Sequence, residues 1–228
     1  LPSILTGTDP DLARPVLRRA LETFSELRLE TKVKGLATKG KQIEVTTEKD
    51  GNEVVELYDA VLIAVGRQPN CEDLGLDNAG IDLDERGFIR TNPKQQTSAP
   101  AIYAIGDVAG GVLLAHKASR EARVAVEALL GKESVFDSVI PAVVFTDPEI
   151  AWCGLTEAEA KEKGITVEIA KFPWTASGRA IAMDRTDGLT KLVIEPETER
   201  ILGMGVTGIG AGELISEGNV GMMQAINR

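Results

Sequence analysis

Leu12, Val16, Leu17, Ala20, Leu21 and Phe24 recur at helical spacing behind Asp9, a plausible N-cap, and Pro10, which suits a first helical turn. The spacing predicts an amphipathic helix over residues 10–26. The period then changes. "LRLETKVKGL", "KQIEVTTE" and "EVVELYDA" read as strands, the last two joined through the turn signal Lys49-Asp50-Gly51-Asn52, and together they predict a β-meander. "AVLIAVG" is a continuous apolar run ending at Gly66, the pattern of a strand buried on both faces of a parallel sheet. Such sheets place ligands at the carboxyl ends of their strands.

Residues 67–92 are rich in Pro, Gly, Asn and Asp and read as a connector with a turn at Asp84-Glu85-Arg86-Gly87. "AIYAIGD" reads as a second buried strand, followed by a Gly-rich turn and a helix from about Leu113 to Leu130 that Gly131 ends. After the composition shift at "SVIPAVVF", strands alternate with helices. Thr156 and Glu159 form a capping-box pattern and Gly164 a natural stop. "LTKLVIE" and "RILGMGVTG" read as strands joined by Pro196-Glu197-Thr198-Glu199, with a helix from about Ala211. Boundaries are expected near residues 68 and 140, and the fold class is α/β and α+β.

Composition narrows the functions. A net charge of −10 over 228 residues, with no basic cluster against it, argues against nucleic acid as a partner. No apolar run approaches the roughly 20 residues of a bilayer span, and "LPSILTGTDPD" lacks the form of a secretory signal, so a soluble, cytoplasmic protein with no membrane partner is expected. Cys71 and Cys153 form neither a CxxC nor a metal-ligand cluster. His116 is the single histidine, which leaves almost nothing from which to build a His-based zinc site or a Ser/His/Asp triad. No catalytic residue and no metal ligand is assigned.

Gly203, Gly205 and Gly208 spell GxGxxG, but the first two fall inside a strand-like run and the helix waits until about Ala211. A dinucleotide loop needs the helix to begin within the motif, so these glycines are read as sites of close packing. The better cofactor candidate is residues 97–122. Asp107, expected at a strand end, either accepts hydrogen bonds from a sugar or ribitol hydroxyl or caps the loop that follows it. Beyond Gly110 and Gly111, a helix starting near Leu113 offers free N–H groups to an anionic or electron-rich ring. Gly66 would let a ligand approach the backbone and Arg67 offers charge-assisted bonds, although an ordinary turn explains both residues as well. His116 suits first-turn packing or a place beside a ligand better than the role of a catalytic base.

In order along the chain, "AVGRQPN", "GIDLDERGFIRTN", "TSAPAIYAIGDVAG" and "LLAHKA" resemble the flavin-dependent pyridine nucleotide-disulfide oxidoreductases. "IPAVVFTDPEIAWCGLTEAEAKEKG" and "FPWTASGRAIA" are similar to the dimerisation domain of the dihydrolipoamide dehydrogenases among them. The resemblance implies FAD and NAD as cofactors, with Asp107 at the FAD ribitol and Leu113, Leu114, Ala115 and His116 running past the flavin ring. It places Val33 and Gly66 at NAD, at strand ends of the nucleotide domain's sheet. It implies that residues 1–68 end an NAD-binding domain, 69–139 contact FAD, and 140–228 form most of a dimerisation domain. A homodimer is implied, with dihydrolipoamide carried on a 2-oxo acid dehydrogenase complex as the reducing substrate. The chain departs from the family pattern in lacking a CxxxxC disulfide, a well-placed nucleotide loop and the C-terminal His-Glu pair. Together with Leu1 at the start, this gives the expectation of a C-terminal portion of a longer enzyme, inactive alone. The alternatives are a flavin-free dimerisation fragment or a glutathione or mercuric reductase of the same family.

Overall fold

A computed structural model describes residues 1–226, and divides them into two compact units. One joins Leu1–Ala64 with Pro141–Arg228; the other is Val65–Ile140. The last two residues of the expected dimerisation segment, residues 140–228, lie outside the described residues.

In the first unit, helix α1 spans Pro10–Thr23, three residues shorter than the spacing predicted. Its buried stripe is Leu12, Ala13 and Val16. Strands β1 (Lys32–Lys39), β2 (Gln42–Lys49) and β3 (Asn52–Tyr58) form the expected antiparallel meander in the order β1-β2-β3. Asp50 and Gly51 both take positive φ, 52° and 80°, as a two-residue hairpin turn of type I′ requires. The first strand begins later than its apolar pattern suggested, because "LRLE" has no facing residues in the register, which starts at Lys32 opposite Glu48.

The run "AVLIAVG" is a correction. Residues 60–66 belong to no strand, and Leu62 and Val65 are more than nine-tenths exposed. An apolar run reports what a strand would bury, whereas the strand itself needs a ladder partner. Among the described residues both sheets are assembled from other segments.

The rest of the first unit is an antiparallel sheet in the order β4-β5-β8-β7-β6, built from β4 (Ala142–Val144), β5 (Ile150–Gly154), β6 (Glu168–Pro173), β7 (Leu189–Ile194) and β8 (Ile201–Thr207). Helices α4 (Glu157–Glu162), α5 (Gly178–Ala182) and α6 (Ala211–Ile226) accompany it. The α4 capping box forms as expected, Thr156 Oγ1 accepting the Glu159 N–H and the Glu159 carboxylate accepting the Thr156 N–H. Gly164 then ends the helix, with Ile165 N–H returning to the Ala160 carbonyl. The central strand β8 carries the first two GxGxxG glycines. A Cβ on Gly203 would sit 1.9 Å from the Leu155 carbonyl oxygen, and one on Gly205 would sit 2.1 Å from Leu12 Cδ1. The motif therefore serves close packing of the sheet against α1 and the β5–α4 turn, as its misplaced helix implied. Helix α1 docks through Leu12, Val16 and Ile150, with the Thr207 hydroxyl donating to the Leu12 carbonyl at 2.6 Å.

The second unit has little regular structure: the single turn α2 (Leu76–Ala79) and the helix α3 (Ala115–Leu129), with short bridges between loops. "AIYAIGD" is a second correction. Only Tyr103 makes a strand-like bridge, to Gln96, with Ala104 N–H donating to the Gln95 carbonyl beside it, while Ile102 N–H returns to the Ala99 carbonyl in a tight turn. Ala104 instead packs with Ile81 and Ile89 in a small cluster. Gly106, at φ 76°, then turns the chain into a 3₁₀ turn over Gly106–Ala109. The expected turn at residues 84–87 closes through Gly87 N–H to the Asp84 carbonyl, with the Asp84 carboxylate accepting from Arg86 and Phe88.

Candidate functional site

Asp107 lies in the 3₁₀ turn and not at a strand end, and its carboxylate is half exposed. Arg67 Nη1 meets it at 3.2 Å, an exposed pair worth little to stability. Sequence reading treated these two residues as separate candidates; the fold makes them neighbours within one unit.

Helix α3 starts at Ala115, two residues later than expected, because Leu114 is extended and its N–H turns back to the Val112 carbonyl around Leu113. Leu113 and Leu114 are half-buried, Ala115 and His116 exposed. The N-cap residue Leu114 makes no side-chain cap hydrogen bond, and this end of the helix carries the positive end of the dipole. The other end closes regularly on Gly131. Asp107 and the start of α3 are brought together, since a Cβ on Gly106 would sit 3.3 Å from the Ala118 Cβ.

The contact is organised from within. Lys117 and Glu121, one turn apart on α3, are 7% and 5% exposed and paired at 2.8 Å. Lys117 Nζ also donates to the Gly110 carbonyl at 2.6 Å and the Gly106 carbonyl at 3.4 Å, while Glu121 accepts the Gly106 N–H at 2.7 Å. Sequence reading missed both residues. Their spacing with Val124 and Ala125 marks one helix face, but charged residues on a helix are ordinarily assigned to solvent.

Val33 and Gly66 fall in different units: Val33 is an exposed residue near the start of β1 in the meander, and Gly66 lies outside any strand at φ 130°. The Cys153 thiol, in β5 beside β8, is pushed up to about 12 by burial, which suppresses thiolate chemistry there. Cys71 is half-buried and also free. Among the described residues no group of His, Cys, Asp and Glu is placed to hold a metal, and no helix is long and apolar enough to cross a membrane.

Two family models match the chain. Residues 1–122 match the pyridine nucleotide-disulphide oxidoreductase model and residues 140–227 its dimerisation-domain model. The dihydrolipoyl dehydrogenase of Vibrio cholerae is 46% identical over 94% of the chain and 45% of its own length. That of Thermus scotoductus is 45% identical over 97% of the chain and 49% of its own length. Among solved structures, the Cu(II) complex of an HOCl-induced flavoprotein disulfide reductase from Escherichia coli superposes with a TM-score of 0.86 at 28% identity, over 96% of this chain and 51% of that one. The chain thus spans about half the length of the relatives it matches.

Proposed function

Because the chain belongs to the pyridine nucleotide-disulphide oxidoreductase family, whose members use FAD and NAD(H), we propose that it supplies the flavin-contacting and dimerisation parts of a dihydrolipoamide dehydrogenase. The observation that carries the flavin assignment is the pairing of an outward-facing Asp107 carboxylate with the uncapped N-terminus of α3. The residues present fit the group, offering an acceptor for polyol hydroxyls and, beside it, N–H groups for an electron-rich ring.

In this reading Asp107 accepts hydrogen bonds from the ribitol hydroxyls. Leu113, Leu114, Ala115 and His116 run beside the ring, and the α3 dipole favours negative charge there. Arg67 turns from Asp107 toward solvent or the cofactor as the hydroxyls take its place. When bound, FAD supplies the electron transfer between a dithiol and NAD. Residues 1–68 serve as the end of an NAD-binding domain, with Val33 and Gly66 at the nucleotide, 69–139 as the flavin-contacting segment, and 140–228 as the dimerisation domain of a homodimer. The lipoyl substrate, carried on a 2-oxo acid dehydrogenase complex, is favoured by the names of the relatives at 45–46% identity.

The test pairs FAD titration of the full-length enzyme and its Asp107→Asn variant with NAD reduction by dihydrolipoamide. Loss of one charge-assisted acceptor is expected to weaken FAD by about tenfold or more. FAD affinity unchanged by Asp107→Asn would overturn the site, and NADPH-dependent reduction of glutathione disulfide without dihydrolipoamide turnover would replace the substrate.

A further inference from the structure

We infer that Lys117 and Glu121 are positioning residues for this site: their buried ion pair sets the backbone of residues 106–111 and thereby the direction of Asp107. The inference rests on the flavin reading and adds the device that gives that site its shape.

The hydrogen bonds define the device. The Lys117 ammonium has three donors, and its partners are Glu121, the Gly110 carbonyl and the Gly106 carbonyl. The second Glu121 oxygen takes the Gly106 N–H. One pair of charges therefore grips Gly106 at both its N–H and its carbonyl, and holds Gly110 as well. Asp107 lies between the two gripped glycines. Gly106, Gly110 and Gly111 all have φ between 70° and 76°, a region open to glycine at little cost and one that a glycine leaves just as readily. Ile89 N–H holds the Val108 carbonyl at 2.8 Å and Phe88 stands 3.2 Å from a Cβ on Gly110, but the bonds to the Gly106 and Gly110 carbonyls come from Lys117.

A buried ion pair is a poor way to gain stability, since an apolar pair of the same volume often does as well. An apolar pair could not bind two carbonyls and an N–H. What the charges add at this position is a fixed backbone path through Asp107, and that matters to a group that must meet the carboxylate and the α3 N-terminus together.

The experiment uses the native protein and the variants Lys117→Met, Glu121→Gln and Asp107→Asn. Amide exchange over residues 104–112 is followed in the FAD-free protein, and FAD affinity is measured per folded molecule. Lys117→Met is expected to speed exchange at Gly106 and to weaken FAD, each by about tenfold or more. Glu121→Gln keeps an acceptor for Gly106 N–H and changes both in the same direction by less, while Lys117→Arg, which can still donate to the carbonyls, recovers part of the affinity. Asp107→Asn is expected to weaken FAD and leave exchange at Gly106 unchanged. If Lys117→Met and Glu121→Gln lower thermal stability but leave FAD affinity per folded molecule at the wild-type value while Asp107→Asn weakens it, the pair is merely structural and the inference falls. If Lys117→Met does not fold, Glu121→Gln alone decides between these outcomes. Faster exchange in the pair variants with no effect of Asp107→Asn on FAD would leave the loop device standing and remove the flavin site instead.

Discussion

Lys191 is a lysine at 1% exposure in the middle of β7, and replacing it with methionine tests how α1 is fastened to the sheet. Its ammonium meets Asp9 at 2.8 Å, Asp11 at 3.1 Å and Glu157 at 2.7 Å. Lys171 meets the other oxygen of Asp11 at 2.6 Å. Deleting one partner of a buried ion pair costs about 3–5 kcal/mol, because the remaining charges stay uncompensated. Two features favour the low end: Glu157 is half exposed and can turn to water, and Asp9 keeps the N–H groups of Glu157 and Ala158. Lys191→Met should therefore cost about 3 kcal/mol at pH 7, or about 6–12 °C in Tm for a unit of this size. The pH dependence is a second signature. Burial opposes ionisation of Asp11, but Lys171 and Lys191 outweigh it and hold the carboxyl below its ordinary value. That contribution is present above the unfolded pKa of about 3.9 and is lost as pH falls through the folded value. Burial likewise pushes the Lys191 ammonium down, and its hydrogen bonds to Asp9, Glu157 and Asp11 outweigh burial and leave it raised. Its contribution is present below about pH 10.4 and is lost as pH rises through the folded value. In the variant Asp11 loses one of its two cations and takes up its proton at higher pH than in the wild type. The gap between the two proteins should thus be widest at neutral pH and narrow toward pH 4. Urea unfolding of both at pH 7 and pH 4 measures it. A loss under about 1 kcal/mol at pH 7, or an equal loss at both pH values, would refute the reasoning.

The β8 glycines give a sharp contrast: Gly203→Ala, which drives a Cβ into the Leu155 carbonyl, should cost upwards of about 4 kcal/mol in thermal unfolding, while Gly35→Ala in β1, with open space around it, should stay within about 0.5 kcal/mol. If Gly203→Ala unfolds normally, the tight packing of β8 is wrong. Thr156→Ala removes the α4 cap and should cost about 1 kcal/mol, read by the same assay. With its thiol at about 12, Cys153 should resist a thiol reagent at pH 8 in the folded protein, leaving at most one fast equivalent from Cys71 and two in denaturant. Fast labelling of Cys153 would show that β5 opens readily.

The parts of the fold that rest on local chemistry were legible. Asp50-Gly51 carries the backbone angles of its turn, Thr156 and Glu159 cap α4, and Gly131 and Gly164 stop their helices by accepting positive φ. The strand-like runs at residues 60–66 and 101–107 were misread because an apolar run is only half of a strand. The missing half is a partner, which no local pattern reports.

The candidate site divides along the same line. Asp107, the glycine-rich loop and the start of α3 announced themselves by residue type. The groups that shape them did not, because Lys117, Glu121 and Lys191 break the rule that charged side chains face water. All three sit in positions where periodicity calls for an apolar residue: Lys117 and Glu121 share the buried face of α3 with Val124, and Lys191 shares a face of β7 with Val193. A sequence pattern that discounts such residues as noise in an amphipathic stripe discards the signal they carry. A buried charge without a partner is too costly to persist, so a charged residue in an apolar register implies a counter-charge or a set of backbone groups held by it. For Lys191 the counter-charges lie 34 to 182 residues away in the chain, and only the fold could identify them. For Lys117 one partner is a single helical turn away, at the spacing at which Lys and Glu meet on any helix. That pair was the one readable sign that the loop before α3 is held in place from below.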